Sequence, residues 1–345
     1  MEAVAGVGYP HHGANDREEP AMSVFQTDAW QKSWWETWGD TPGFEPVTEG
    51  AAGANGMYLA HYRFKGFPIH ALECTGTSHR CIATPRTEYN TLLGDTPGPD
   101  AYDRLLALLS SRKWTETVLS DLRVNSTEYQ LLQKLCRDKR WLWRELEEDT
   151  AYSVSTTGSF QEYLNSLGSN TRLRLYNRRK VLNSLGEVTV RDVPSEAHDN
   201  FFRSLDQFHQ QRWDAPCFGG EKGMLFQRKF LERLPAEGGQ ARLSELRVDG
   251  RLISVLYNVE YQGRVYNIQG GFEDNVHKKL APGTLHFGYV IEQCFDDNNI
   301  AVFDMLAGTG KNENYKARIA TDTEPMATVM IVRSGLFRLI YRFKG

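Results

Sequence analysis

At 345 residues the chain exceeds one comfortable hydrophobic core and is expected to fold as two domains. Charged residues make up 24% and hydrophobic residues 40%, with a formal net charge of -4, so no global basic field exists and an anionic partner must be met by a local patch. The five cysteines, Cys74, Cys81, Cys136, Cys217 and Cys294, show no zinc-knuckle or dithiol spacing and read as free thiols in a reducing compartment; no metal site is expected. With no signal segment and no run of eighteen apolar residues, the reading is a cytoplasmic protein without a membrane span.

Residues 1–22, rich in Gly, Pro and charge, read as a loose leader, in which His11 and His12 need no ligand. Order begins at FQTDAWQKSWWETWG, a helix capped by Thr27 or Asp28 whose Trp30, Trp34, Trp35 and Trp38 form an aromatic stripe, read as a buried face. MYLAHYRFKGFPIHALEC gives two strands about a Lys65-Gly66 turn. AYDRLLALLSSR is a helix, WTETVLSDL a strand, STEYQLLQKLCRDKR a helix, and WLWRELEEDTAYSVS closes this half. That order makes a compact mixed domain.

The second half opens on FQEYLNSLGSNTRLRLYNRRKVLNSLG, where Arg172, Arg174, Arg178, Arg179 and Lys180 interleave with apolar residues as one basic amphipathic helix. It reads either as a wall meeting an anionic group or as a solvated helix at the junction. EVTVRDV is a strand, and DNFFRSLDQFHQQRW is a helix with Phe201, Phe202, Leu205 and Phe208 on one face. Arg212 falls near the centre of that face, which predicts a buried guanidinium with an anionic partner, and His209 at its rim is a candidate base.

ARLSELRVDG, RLISVLYNVEYQG and RVYNIQGGFEDN follow as three strands joined by Asp-Gly and Gln-Gly turns. The third ends in Gly270-Gly271, and the chain then enters a helix through Pro282-Gly283-Thr284. Strand end and helix N-terminus together suit a phosphate, through Gly270, Gly271, Ala281, Gly283, Thr284 and Leu285. AVFDMLAG carries Asp304 mid-strand among apolar residues, where a carboxylate must be functional or paired, with Arg212 as the candidate partner. Beyond Gly308-Thr309-Gly310, read as a gate, come Tyr315 and Lys316, and the tail ATVMIVRSGLFRLIYRFK reads as a hairpin or a strand and helix.

Together FQTDAWQKSWWETWG, LRLYNRRKV, LDQFHQQRW, VYNIQGGFEDN, LAPGTLHFGYVIEQC and FDMLAGTGKNENYKARI resemble the GNAT-like acetyltransferase superfamily. The likeness is to its two-domain CelD-like or BioF2-like branch, related to the Fem peptidoglycan aminoacyl transferases, and covers about residues 23 to 335. It implies a mixed α/β fold of tandem GNAT-like domains, each a mostly antiparallel sheet flanked by helices, over residues 23–155 and 156–345. It also implies acyl-CoA as co-substrate, its pyrophosphate held in a loop written Q/R-x-x-G-x-G/A. Residues 277–284 stand at that place and lack the glycine pattern, which leaves a different thioester or an aminoacyl-tRNA open.

The expected function is N-acyl transfer, acetyl in the first instance, from acyl-CoA to an amine of a small molecule or envelope precursor. Such chemistry needs a base and an oxyanion donor. His209 and Asp304 are the candidate bases, Tyr266, Tyr315 and Lys316 the donors or acid, and Arg179, Arg212, Trp213 and Tyr266 the residues meeting the acceptor. Two alternatives stand beside it: a Fem-like aminoacyl transferase using charged tRNA, and a non-catalytic scaffold in polysaccharide synthesis that would dock through the tryptophan stripe.

Overall fold

The computed structural model describes residues 22–50, 53–94, 97–308 and 311–342. Nearly all of the expected leader, and Thr309-Gly310 of the expected gate, lie outside them. Through Ser155 the chain runs α1 (Asp28–Trp38), β1 (Phe44–Thr48), β2 (Met57–Phe64), β3 (Phe67–Cys74), α2 (Ala101–Ser110), β4 (Glu116–Arg123), α3 (Thr127–Lys139) and β5 (Leu142–Ser155). It continues through α4 (Phe160–Ser166), α5 (Ser169–Arg172), α6 (Arg179–Asn183), β6 (Val188–Asp192), α7 (His198–Trp213), α8 (Glu221–Arg233), β7 (Gln240–Val248), β8 (Arg251–Tyr261) and β9 (Arg264–Phe272). The last elements are α9 (Pro282–Asp296), β10 (Val302–Ala307), α10 (Lys311–Ile319), β11 (Asp322–Val332) and α11 (Gly335–Arg342).

The tight turns form where the sequence places them. Lys65-Gly66, Asp249-Gly250 and Gln262-Gly263 all have positive φ at both residues, the conformation that matches the twist of a two-residue hairpin.

All eleven strands join one sheet in the order β1-β2-β3-β4-β11-β5-β10-β9-β8-β7-β6. Each half contains a parallel pair bridged by a helix: β3 with β4 across α2, and β9 with β10 across α9. Both pairs are in register for only three residues, Ala71–Glu73 against Glu116–Val118 and Arg264–Tyr266 against Val302–Asp304, and then diverge. Past that repeated motif the halves trade strands. β5 pairs antiparallel with β10 of the second half, and β11 lies between β4 and β5 of the first. A cut after Ser155 therefore divides the chain but not the sheet.

A single aromatic core covers one face of both halves. Trp30 and Trp34 of α1 are fully buried, and the Trp30 indole meets Phe226 and Phe230 of α8 edge-on at 4.8 and 4.9 Å. Its Nε1 donates to Thr87 Oγ1 at 2.9 Å, so the polar end of the ring is also satisfied. Trp38 is likewise buried and Trp35 half-buried against the same core, so the stripe is read chiefly as core. On the other face, α2 and α3 cover the first half through Leu105, Leu109, Leu132 and Leu135, and α9 covers the second through Phe287, Val290 and Ile291.

The basic segment is not one continuous helix. Between α5 and α6, residues Leu173–Asn177 form a π-helical turn, and the Leu175 carbonyl sits where a Cβ on Gly288 of α9 would be, 2.0 Å away. Close approach of α9 at Gly288 accompanies the widened turn, and only glycine fits there. Arg174 and Lys180 remain exposed on it.

Because the aromatic core spans both halves, Trp30→Ala is expected to cost about 3–5 kcal/mol, with both halves unfolding in one transition. Scanning calorimetry checks this; two separated transitions would show that the halves are independently stable.

Candidate active site

β10 enters the sheet as an ordinary apolar strand and then breaks its own pattern. Its pairing with β5 shifts register between Asp304 and Ala307, and Leu306 sits at φ +60, a conformation that side-chain-bearing residues rarely adopt. Such backbone costs on the order of 1–3 kcal/mol and persists only when neighbours over-determine it. Here they do. Asp304 Oδ1 accepts the Leu306 N–H at 2.7 Å, Glu88 Oε2 accepts the Ala307 N–H at 2.7 Å, and Lys316 Nζ donates to the carbonyls of Leu306 and Ala307 at 3.2 and 2.7 Å.

Asp304 is wholly buried, and its second oxygen accepts from the Tyr89 hydroxyl at 2.9 Å and from Arg264 Nη1 at 2.8 Å. Its cation is thus Arg264, one strand over, and not Arg212. The expectation for Arg212 is corrected in a second respect: it is exposed, near the end of α7, and lies 4.6 Å over the Phe272 ring. α7 buries Phe201, Phe202 and Leu205, but its last turns run on into solvent, so the wheel position of Arg212 faces no core.

Glu88 and Lys316 make the bulge electrostatically unusual. Burial pushes the Glu88 carboxyl up to about 7, partly opposed by Arg86, whose Nε is 3.7 Å from Glu88 Oε1. Burial also lowers the Lys316 ammonium from its ordinary value, against the pull of Glu88 and Asp304. Arg86 is held by Asp121 at 2.6 Å and Asp149 at 2.8 Å, which ties the loop carrying Glu88 and Tyr89 to β4 and β5. Lys316 spends two of its three N–H groups on the bulge carbonyls and keeps one beyond them.

The remaining candidates fall into separate places. Tyr315 faces Phe287 at a ring distance of 6.1 Å, with the nearby Arg212 charge acting on a hydroxyl that burial raises to about 12. With Phe272, Phe287 and Gly283 they mark the mouth of the β9–β10 divergence. His209 Nδ1 is 3.1 Å from the Ala215 carbonyl, Trp213 is 61% exposed, and neither contacts Asp304. Tyr266 is buried against Phe25. Arg179 lies between Tyr176 and Tyr289 at 4.4 and 3.8 Å and pairs with Glu292 at 2.5 Å.

At the expected donor loop, the small residues answer to packing. A Cβ on Gly283 would lie 2.7 Å from the Phe272 ring, on Gly271 2.9 Å from Phe208, and on Gly270 3.0 Å from Leu256, while Leu285 is buried under β8 and β7. The amides are partly spent as well. Lys279 N–H donates to His277 Nδ1 at 3.1 Å, Leu280 N–H to the His277 carbonyl at 2.8 Å, and Pro282 has none to give. Ala281 caps α9 without a side-chain bond, leaving Gly283 and Thr284 at its first turn.

Two cavities flank the seam where β5, β10 and β11 meet. One, of 410 Å³, is lined by Tyr89, Arg123, Ser153, Arg264 and Val302; the other, of 560 Å³, by Tyr129, Glu145, Tyr152, Gly308 and Met326. Ser153 and Tyr152 alternate along β5, so the cavities open on opposite faces. Neither reaches the N-terminus of α9.

Buried His286 is bonded at both ring nitrogens, to Ser244 and Ser254 at 3.0 Å each, and burial takes it down to about 3, so it is a neutral strut under α9.

Residues 169–317 match the family model described as "Acetyltransferase (GNAT) domain". Among solved structures, one described as "Crystal structure of FemX" superposes with a TM-score of 0.59 at 12% identity, covering 95% of this chain and 98% of that one. The C-terminal (DUF2156) domain of an Agrobacterium fabrum protein named as a lysylphosphatidylglycerol synthetase gives 0.53 at 10% identity, over 93% and 92%. A Bacteroides thetaiotaomicron protein of unknown function gives 0.51 at 10%, over 92% and 93%. The fold is that of the GNAT-like acyltransferases, built in tandem. No curated protein sequence matches the chain. No helix among the described residues is long and apolar enough to cross a membrane.

The Glu88 shift sets a pH test. Between pH 4.5 and about 7 the unfolded chain releases a proton that folded Glu88 keeps, so stability falls as pH rises through that window. Glu88→Gln removes this contribution, so the variant's urea midpoint should lose less across the window than the parent's. Glu73 shifts in the same direction but is present in both proteins and cancels. Parallel curves would mean that folded Glu88 titrates as it does in the unfolded chain.

Proposed function

We propose that the chain transfers an aminoacyl group from a charged tRNA to the amine of a small molecule or envelope precursor, with the reaction centred on the β10 bulge. The observation that carries the reading is the loop before α9. A coenzyme A pyrophosphate is held by free backbone amides, and here those of Lys279 and Leu280 are bonded within the loop and position 282 is proline, which leaves Gly283 and Thr284, packed beside the Phe272 ring, at the first turn of α9. A tRNA ester makes no such demand. Lys278 and Lys279 on that loop and Arg174 and Lys180 beside α9 are exposed cations that suit a nucleic-acid backbone.

In this reading the ester carbonyl lies between the diverging ends of β9 and β10. The acceptor nitrogen forms the new amide bond, the ester C–O bond breaks, and the proton lost by the amine ends on the departing ribose hydroxyl. Lys316 supplies the N–H that stabilises the developing oxyanion, worth about 3–4 kcal/mol for a well-placed donor. Asp304 and Glu88 hold the bulge that aims it. Tyr315 and Arg212 stand at the mouth, where the donor's end passes.

A second reading, acyl transfer from acyl-CoA, is favoured by the match of residues 169–317 to an acetyltransferase model. Titration calorimetry separates the two. The proposal expects no saturable heat with coenzyme A, salt-dependent binding of tRNA, and transfer of a labelled aminoacyl group to an amine acceptor that falls about a hundredfold or more in a folded Lys316→Met variant. Tight coenzyme A binding with acetyl release from acetyl-CoA would establish the second reading instead, and full transfer activity in Lys316→Met would remove the lysine from the chemistry.

A further inference from the structure

Three segments distant in sequence converge beyond β3 and β11. Arg333 N–H and Ser334 N–H donate to the Thr115 carbonyl at 3.0 and 3.1 Å, Arg333 Nη1 to the Arg112 carbonyl at 3.1 Å, and the Phe67 ring meets Phe337 edge-on at 6.1 Å. The segments are residues 61–70, 111–115 and 333–342. They hold seven lysines and arginines and not one carboxylate, in a chain whose acidic residues outnumber its basic ones by 44 to 40. None of the seven forms an ion pair with a described residue.

α11 has two apolar faces. Phe337 and Tyr341, one turn apart, are buried, and the Tyr341 hydroxyl donates to Glu116 at 2.7 Å. Leu336 and Leu339 point the other way, each 56% exposed, and Phe67, whose ring meets Phe337, is 43% exposed. Of the seven large apolar residues exposed among the described residues, three therefore belong to these segments, which also carry the exposed Arg63, Lys65, Arg112 and Arg342.

We propose that this end of the molecule docks onto an anionic lipid surface, with Leu336, Leu339 and Phe67 entering the interface and the surrounding cations meeting the headgroups. The pairing of the two chemistries selects this occupant. Unpaired cations alone would suit any polyanion, but exposed leucines gain nothing from a phosphodiester backbone and gain their burial only from an acyl layer. A nucleic-acid surface would instead present several aromatic stacking faces beside its cations, whereas here Trp114 and Trp141 lie under Arg333, at 5.5 and 5.8 Å, and Phe67 is the one exposed Phe, Tyr or Trp of the three segments. The patch lies past Val332, at the far end of β11 from Asp322, which borders the cavity under Tyr89 and Arg264. Docking would leave the transfer centre open.

The test is co-sedimentation of the full chain with phosphatidylcholine vesicles, with and without phosphatidylglycerol, at low and high salt. Binding is expected only to the anionic vesicles and should weaken with salt. Both the Leu336→Ser/Leu339→Ser pair and the Lys65→Glu/Arg342→Glu pair change exposed side chains, so thermal melts should be unaltered while partition falls on the order of tenfold or more. The proposal is overturned if the parent protein ignores anionic vesicles at low salt, or if both variants bind them as the parent does. It is equally overturned if the leucine pair instead abolishes a concentration-dependent dimer in analytical ultracentrifugation, or if the charge pair abolishes RNA binding in a protein that never binds vesicles.

Discussion

Two backbone amides in a strained turn of β10 hold the molecule's two halves to one geometry. The Leu306 N–H goes to Asp304 of its own strand, and the Ala307 N–H goes to Glu88, from a loop of the other half. Tyr89, next to Glu88, closes the circuit by donating to Asp304. Asp304 keeps Arg264 and the Leu306 N–H within its own half but takes the Tyr89 hydroxyl from the other, and Glu88 takes the Ala307 N–H, so loop and strand complete one another's hydrogen bonding. Lys316 then has carbonyls to donate to, and β10 is bent away from β9 at the point where their pairing stops.

The exchange of β5 and β11 makes that circuit possible. Each half repeats a parallel pair that diverges after three residues, yet only the second half opens its divergence toward a buried lysine. In the first half the corresponding region carries Arg80 and Arg86, both committed to carboxylates, at Glu116 and Asp121. Two copies of one architecture thus do different work. One supplies struts, a poised carboxyl and half of the aromatic core, and the other supplies the diverging strands.

Much of the fold was legible because it rests on local chemistry. The Xaa-Gly turns announce their hairpins, the alternation in β8 separates its faces, and the tryptophans mark the buried side of α1. Asp304 and Lys316 could be singled out as charges in apolar surroundings. Glu88, Tyr89 and Arg264 could not. The first two belong to a loop without period, and they meet β10 across more than two hundred residues of chain. Arg264 looks like any residue after a turn. Arg212 shows the opposite failure, since a helical wheel locates the apolar face but cannot say where along the helix the core ends. The exchange of strands left no local mark at all, because β5 and β11 read alike whichever half they pair with.

A loop of the first half holds the β10 bulge of the second, and amide hydrogen exchange at Leu306 and Ala307 reads that contact directly. Both amides should exchange only through global opening, as slowly as Phe303 in the middle of the sheet, and the Ala307 amide should lose that protection selectively in Glu88→Gln. Exchange at Leu306 and Ala307 as fast as in the exposed turn at Asn275, in the unmodified protein, would contradict the claim.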